Sequence, residues 1–212
     1  MNIKERLDNY LEFDSSALFE SKFNLVRIFG GAIRDSIANL EIHDIDILCG
    51  SKAMGYIENV LSENGYYFLD SINGKDLQSM YSEIHIINEP HTWVKGKKIV
   101  QLIRPCVFNR DYSNKQNYID KSLERYQEGF NRLIQNVDLS CCGVSWDGDK
   151  LHEDFPNAIT HCQSKVFSVN ETAWMYSNSR CRIRKYKLIE RGWKEIENNT
   201  LNNRDLKLGL II

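Results

Sequence analysis

Two glycines, a helical pattern and then a pair of aspartates constrain this chain more than any other feature. Gly30 and Gly31 end an apolar segment, "NLVRIF", that predicts a strand, and "AIRDSIANL" after them has apolar residues at helical spacing. The next segment, "IHDIDILCG", alternates as a strand does, so Asp44 and Asp46 should share one face of it. Two adjacent carboxylates near a core are costly unless a cation or hydrogen bonds compensate them. This strand–helix–strand unit is therefore predicted to carry a binding site.

The chemistry that best fits this unit is phosphoryl transfer. Mg²⁺ prefers carboxylate and phosphate oxygens, and two such ions about 3.5–4 Å apart can stabilise the attacking and the leaving oxygen. Backbone N–H groups of Gly30 and Gly31 at a helix start can hold an anion, and Arg34 can contact a phosphate or pair with Asp35. We therefore expect a nucleoside triphosphate and Mg²⁺ (or Mn²⁺). Alone, a Gly-Gly turn or an Asp-x-Asp pair is more often structural.

The order of the predicted elements indicates an α/β fold, a mixed β-sheet with helices packed on it. Strands are expected at 24–29, 42–50, 66–70, 83–89, 97–103 and 136–146, and helices at 3–12, 32–40, 52–65 and 118–135. From about residue 165 the pattern is helical and basic. We expect one main domain over residues 1–164 and a short helical segment over 165–212.

Composition argues against several classes of protein. Of the 212 residues, 42% are hydrophobic and 26% are charged, which argues against wholesale disorder. The net charge of −2 argues against a protein that binds nucleic acid over its whole surface. No apolar run reaches the ~18 residues of a membrane helix and the N-terminus is charged, so we expect no membrane partner and a cytoplasmic location. The six cysteines contain no Cys-x-x-Cys and are expected to be reduced and mostly buried.

A basic segment at 180–194 is a local candidate for a nucleic-acid contact. Arg180, Arg184, Lys187 and Arg191 recur at helical spacing and so should lie along one stripe. Such a stripe beside a nucleotide site can receive a triphosphate or an RNA backbone. A charge run is also commonly a solvated helix face, so both interpretations stay open.

The stretch "GGAIRDSIANLEIHDIDIL" resembles the Gly-Gly-x-Val-Arg-Asp … Asp-x-Asp signature of the class II nucleotidyltransferase head domain. That family contains the tRNA CCA-adding enzymes and bacterial poly(A) polymerases, within the DNA-polymerase-β-like superfamily. The matching residues are Gly30, Gly31, Arg34, Asp35, Asp44 and Asp46. A second stretch, "NVDLSCCGVSWDGDKLHEDF", resembles a later strand of the family and aligns Asp138 with its acidic residue, and Asp154-Phe155 more loosely with its next motif. "SRCRIRKYKLIERGW" is a weaker match to the start of the family's helical neck.

The resemblance implies a palm-like nucleotidyltransferase core followed by a short helical neck, and it implies roles for residues. Asp44, Asp46 and Asp138 would be the catalytic carboxylates and the ligands of Mg²⁺ or Mn²⁺. The triphosphate would be bound by Gly30, Gly31, Arg34, Asp35, Arg180 and Arg184. The chain departs from the family at Asn136-Val137, which replaces an Arg-Arg pair, and at Cys142-Gly143, which replaces Asn-Ala. It also lacks most of the family's neck, body and tail, so complete tRNA repair is not expected of it.

The resemblance thus implies a metal-dependent nucleotidyltransferase that moves a nucleoside monophosphate from an NTP to an acceptor hydroxyl and releases pyrophosphate. The acceptor that best fits is an RNA 3′ end. One alternative is a toxin- or defence-type enzyme whose acceptor is a tRNA, a protein or a small molecule. The other is a nucleotide- or RNA-binding module of the same fold without turnover. The missing Arg-Arg favours the last alternative, and the two repelling carboxylates argue against it.

Overall fold

The computed structural model describes residues 2–20, 26–69, 90–104, 129–131, 133, 137–170 and 178–197, without the side chains of residues 51 and 178–180. The strands are β1 (Val26–Phe29), β2 (Ile45–Cys49), β3 (Tyr67–Leu69), β4 (His91–Lys95), β5 (Lys98–Ile103), β6 (Val144–Trp146), β7 (Leu151–Glu153), β8 (Val166–Phe167) and β9 (Lys194–Glu195). The α-helices are α1 (Ile3–Leu11), α2 (Gly31–Ile37), α3 (Ser51–Glu63), α4 (Ala158–Ser164) and α5 (Asn178–Glu190). Short 3₁₀ helices span Ser15–Phe19 and Ser140–Cys142.

Seven strands form one mixed sheet in the order β3-β4-β5-β2-β1-β6-β7. Strand β2 pairs in parallel with β5, whereas its pairing with β1 is antiparallel, as are the other pairings in this sheet. The predicted α/β fold with a mixed sheet is therefore confirmed. Strand β2 lies at the centre of this sheet, so its residues are held by hydrogen-bonded strands on both sides.

The apolar alternation of the β1–α2–β2 unit builds the core. Ile45 and Ile47 of β2 are fully buried, and they join Ile28 of β1 and Ile33 of α2 in one hydrophobic cluster. Because i and i+2 share a face of a strand, the residue between the two isoleucines points to the other side of the sheet. That residue is Asp46, so burying the isoleucines fixes the direction of the carboxylate.

The largest error of the sequence-based assignment concerns the strand expected at 136–146. The chain forms the 3₁₀ helix Ser140–Cys142 instead, and the strand begins only at Val144. The cause is a tight crossing at Gly143, whose carbonyl accepts from the backbone N–H groups of Asp154 and Phe155 at 2.8 and 3.0 Å. A Cβ on residue 143 would lie 2.2 Å from Cβ of Phe155, so the crossing requires glycine.

Smaller differences surround that error. Strands β4 and β7 and helix α4 were not expected, and the strand expected at 42–50 begins at Ile45, which leaves Asp44 just before it. The segment after residue 165 is not wholly helical, because β8 and β9 pair in parallel on either side of α5. The strand expected at 83–89 and most of the helix expected at 118–135 lie outside the described residues. The domain boundary at residue 164 stays a prediction. Within the described ranges, no helix is long and apolar enough to cross a membrane.

Candidate functional site

The glycine turn has a backbone that glycine adopts readily and other residues rarely do. Gly30 has φ 68° and ψ −125°, which an L side chain would strain. Its N–H donates to the carbonyl of Val144 at 3.0 Å, and its own carbonyl accepts from the N–H of Arg34 at 2.9 Å. The turn is thereby fixed between β6 and the first turn of α2.

The second glycine separates a cation from a carboxylate. A Cβ on Gly31 would lie 3.7 Å from Nη2 of Arg34 and 3.9 Å from Oδ1 of Asp44. Because Gly31 has no side chain, the space between these two charged groups stays open to a ligand. The structure thus brings Gly30, Gly31, Arg34 and Asp44 together, as the sequence predicted.

Asp46 has one side-chain oxygen without a hydrogen-bond partner among the described residues. It pairs in register with Phe29 on one side and Gln101 on the other, so its position is set by the sheet. Its Oδ1 is shielded from solvent and has no hydrogen-bond partner among the described residues. Burial, followed by the charge of Asp44, raises the pKa of Asp46 to about 7, although Arg184 opposes the shift. A buried, unsatisfied oxygen beside a second carboxylate is what a bound cation would satisfy.

Arg34 is held on several sides at once. Its Nε and Nη2 donate to the two carboxylate oxygens of Asp35 at 2.8 and 2.9 Å. Its Nη1 donates to Sγ of Cys142 at 3.3 Å, and its Cζ lies 5.6 Å from the centroid of the Trp193 ring. Asp35 also accepts from Nη2 of Arg191 at 3.0 Å, and its side chain is only 3% exposed. The structure therefore places Asp35 behind Arg34, where it holds the arginine.

Asp138 is paired with an arginine. It is buried, its Oδ1 accepts from Nη1 of Arg184 at 3.2 Å, and its backbone carbonyl accepts from the N–H of Asn170. Within the described part of the chain, no three His, Cys, Asp or Glu residues are grouped so that they could hold a metal ion. The expected cluster of three carboxylates is therefore not found in the described part of the chain. Arg184 lies near both Asp46 and Asp138. The side chain of Arg180 lies outside the described residues.

Cys142 is a site residue that the sequence analysis missed. The six cysteines were expected to be reduced and mostly buried, without a role in the site, but this thiol contacts Arg34. A hydrogen bond from Cys141 lowers the pKa of Cys142 to about 7, and the positive charges of Arg34 and Arg184 act in the same direction against the opposing effect of burial. The signal was available in its position: Cys142 stands where the resembled family has the asparagine of its later motif.

A second hydrogen-bond network joins β6 to Asp154, which the sequence aligned only loosely with a family motif. Ser145 donates to Oδ2 of Asp154 at 2.5 Å, and Nη1 of Arg27 donates to Oδ1 of Asp154 at 3.2 Å. Ser145 pairs with Phe29, which in turn pairs with Asp46, so all three occupy one row across the sheet. Asp154, aligned loosely by resemblance, therefore fastens β1 to β6 and to the segment after β7.

Solved structures share this arrangement of strands and helices. The structure of a Thermotoga maritima CCA-adding enzyme complexed with tRNA is similar over 96% of this chain and 42% of the enzyme's chain, at 15% identity and a TM-score of 0.56. A CCA-adding enzyme in complex with ATP matches 83% of this chain and 36% of its own, at 14% identity and a TM-score of 0.51.

The chain has a nucleotidyltransferase-like fold. At such low identity the likeness concerns the fold alone, and the chain spans less than half the length of either protein. No protein-family model matches the sequence, and no curated protein does. A function can therefore be proposed only from the residues of the site, and not from the similarity of fold.

Proposed function

We propose that this protein is a metal-dependent nucleotidyltransferase. It transfers a nucleoside monophosphate from an NTP to an acceptor hydroxyl, with an RNA 3′ end as the favoured acceptor, and releases pyrophosphate. The observation that carries the proposal is Oδ1 of Asp46, which is buried, without a hydrogen-bond partner among the described residues, and beside the carboxylate of Asp44. A fold keeps such an oxygen at a cost, and a bound cation removes that cost.

The residues present fit a divalent cation. Asp44 and Asp46 would hold Mg²⁺ or Mn²⁺, because both are carboxylates and Asp46 has an oxygen without a hydrogen-bond partner in the part of the chain that the structure describes. When bound, such an ion stabilises the charge that develops on the attacking and leaving oxygens. Asp138 would be a further ligand, although its Oδ1 is already paired with Arg184.

The chain's own groups would bind and orient the triphosphate. The open space at Gly31 lets phosphate oxygens approach the backbone and Nη2 of Arg34. Asp35 fixes the plane of the Arg34 guanidinium, so the arginine presents a rigid set of donors to the phosphates. Arg184 and the basic helix α5 stand beside the carboxylates, where they would attract further phosphate charge or the acceptor's backbone.

Label transfer tests this function. The protein is incubated with each α-³²P-labelled NTP, Mg²⁺ or Mn²⁺, and total RNA or lysate, beside a variant carrying Asp44→Ala and Asp46→Ala. We expect label to move to RNA with the unaltered chain and not with the variant. Label that moves instead to protein or to a small molecule would identify a toxin- or defence-type enzyme.

A binding module without turnover is the second candidate, and the ion pair between Asp138 and Arg184 favours it. In that pair Oδ1 of Asp138, the third carboxylate of the resembled signature, already accepts from an arginine. If ATP binds by calorimetry but no label moves with any nucleotide, metal or acceptor, this candidate replaces the enzyme. Arg184→Ala, which frees Asp138, would then be the variant in which to seek turnover.

A further inference from the structure

The segment that follows α5 reaches back to the glycine turn. Helix α5 ends at Glu190, and Gly192, with φ 83°, turns the chain. This turn brings Nη2 of Arg191 within 3.0 Å of Oδ2 of Asp35, across 156 positions of sequence. It also buries Trp193, which is 2% exposed, against the guanidinium of Arg34. A part of the chain expected to be an appendage therefore contacts the candidate triphosphate site.

Arg191 changes the charge balance at Arg34. The guanidinium of Arg34 lies on the carboxylate of Asp35, and by itself this pair has no net charge to offer a phosphate. Arg191 supplies a second positive charge to the same carboxylate, through the oxygen that Nη2 of Arg34 also contacts. The three groups together then carry one net positive charge, in a place where burial weakens screening by solvent.

Arg191 also limits how Arg34 can move. A buried carboxylate bonded by a single arginine can rotate with it, whereas a carboxylate bonded by arginines from two elements is fixed by both. The Trp193 ring lies near the same guanidinium, at 5.6 Å from Cζ. Arg34 is thereby confined between Asp35 and a ring that comes from the Arg191 segment.

We propose that Arg191 is a positioning residue for the triphosphate site, acting through Asp35 on Arg34. It keeps the guanidinium of Arg34 oriented and leaves it a net positive charge for the phosphates. This role rests on the proposed function, but it differs from the role expected from the basic stripe, in which Arg191 would contact a phosphate or RNA directly. Arg191 does not need to touch the ligand at all.

The test compares Arg191→Met with Arg182→Met, an exposed arginine of α5 that loses the same charge. Binding of ATP and of inorganic tripolyphosphate is titrated calorimetrically in the presence of Mg²⁺. We expect Arg191→Met to weaken both by about tenfold, which corresponds to about 1.4 kcal/mol, and Arg182→Met to change them less than about twofold. Arg191→Lys, which keeps the charge, should recover most of the affinity. If Arg191→Met does not fold, Arg191→Gln, which keeps a donor for Asp35, replaces it.

A second measurement does not depend on nucleotide binding. The rate of Cys142 alkylation by iodoacetamide is followed against pH and assigned by mass spectrometry, because Nη1 of Arg34 lies 3.3 Å from this thiol. If Arg191 supports Arg34, the midpoint of the profile should rise by about half a pH unit in Arg191→Met and stay constant in Arg182→Met. Partial unfolding would also raise the midpoint, toward the ordinary thiol pKa of about 8.5, so the profiles are compared only under conditions in which circular dichroism shows both variants to be folded.

The outcomes separate the two proposals. If the unaltered chain binds tripolyphosphate, and Arg191→Met binds it equally well with an unshifted alkylation midpoint, the positioning role is wrong while the nucleotide site stands. If the unaltered chain binds neither ATP nor tripolyphosphate, the proposed function is wrong. The alkylation midpoint then decides alone whether Arg191 supports Arg34.

Discussion

Asp35 is buried, Asp46 is half-buried with its Oδ1 shielded from solvent, and the two carboxylates differ in what surrounds them. Asp35 accepts from two guanidinium groups, and both of its oxygens are satisfied. Asp46 has an oxygen without a hydrogen-bond partner among the described residues, and the charge that acts on it most strongly is that of another carboxylate, Asp44. A buried group that is fully paired holds a structure together, whereas one that is left unpaired points to something the fold is built to bind.

The two aspartates also stand on different kinds of support. Asp46 is on the central strand of the sheet, so its direction follows from the burial of Ile45 and Ile47. Asp35 is on α2, and its second partner arrives from the far end of the described chain. The proposed cation site is thus built from local structure, whereas the support of the proposed anion site depends on a distant contact.

The largest expected effect is that neutralising the two aspartates changes stability in opposite directions. Asp35→Asn leaves the buried Arg34 and the partly exposed Arg191 without their carboxylate, which should cost about 3–5 kcal/mol of the free energy of unfolding. Asp46→Asn removes a buried charge that repels Asp44, so it should stabilise the metal-free protein. Urea unfolding at pH 7.5 with a chelator measures both.

Asp149→Asn, on an exposed residue of the β6–β7 turn, is the matched control and should change stability by less than about 0.5 kcal/mol. Equal destabilisation by Asp35→Asn and Asp46→Asn would contradict the comparison. It would mean that Asp46 has a partner that stabilises its charge.

The features that the sequence could predict are the local ones, and those that it could not predict are contacts between distant residues. The β1–α2–β2 unit, the glycine turn and the direction of Asp46 depend on periodicity and on glycine, both of which act over a few residues. The pairings of Asp35 with Arg191 and of Asp138 with Arg184 join residues far apart in sequence, and nothing local marks them. The basic stripe predicted at 180–194 illustrates this limit, because two of its arginines, Arg184 and Arg191, form ion pairs with buried aspartates.

A second limit was the crossing at Gly143. The run "NVDLSCCGVSW" has the composition of a strand, and propensity favours that assignment. The close approach of Phe155 to Gly143 overrides it, and this tertiary contact turns the chain into a 3₁₀ helix before β6. The same turn brings the thiol of Cys142 to Arg34, so the error in secondary structure and the missed site residue have one cause.

The next expected effect is a dependence of stability on pH that comes from Asp46. The pKa of Asp46 is about 7 in the folded protein against an ordinary value of 3.8, so the folded state binds this proton more tightly than the unfolded state. The contribution to stability is complete below about pH 4 and is lost as the pH rises to about 7, by roughly 4 kcal/mol at most.

Urea titrations of the metal-free protein between pH 4 and pH 8 measure this loss, with Asp46→Asn as the reference that removes the group. The difference between the two proteins should grow with pH. A constant difference across this range would show that Asp46 is already ionised in the folded protein at low pH, and that its oxygen is not isolated.

Addition of Mg²⁺ should have a smaller effect that again separates the two aspartates. A cation that binds only the folded state at ten times its dissociation constant stabilises it by about 1.4 kcal/mol. We expect this gain at pH 7.5 in the unaltered protein and its absence in Asp46→Asn, measured as the shift in the melting temperature. Lys187→Met, an exposed residue of α5, should retain the full shift. Equal shifts in all three proteins would place the cation elsewhere.

The smallest expected effect concerns the segment that precedes β2. The hydroxyl of Tyr10 donates to the carbonyl of His43 at 2.7 Å and accepts from the N–H of Ile99 at 2.9 Å, so α1 fastens the residue before Asp44 to β5. Tyr10→Phe removes these bonds and should cost about 1 kcal/mol of stability. If this anchoring matters to the proposed cation site, the Mg²⁺-dependent shift in melting temperature should also become smaller in Tyr10→Phe. The control is Tyr66→Phe, which loses a 3.4 Å hydrogen bond to the carbonyl of Leu11 and should leave that shift unchanged. An unchanged shift in Tyr10→Phe would mean that the sheet alone positions both carboxylates, and that the local support of the cation site ends at β2.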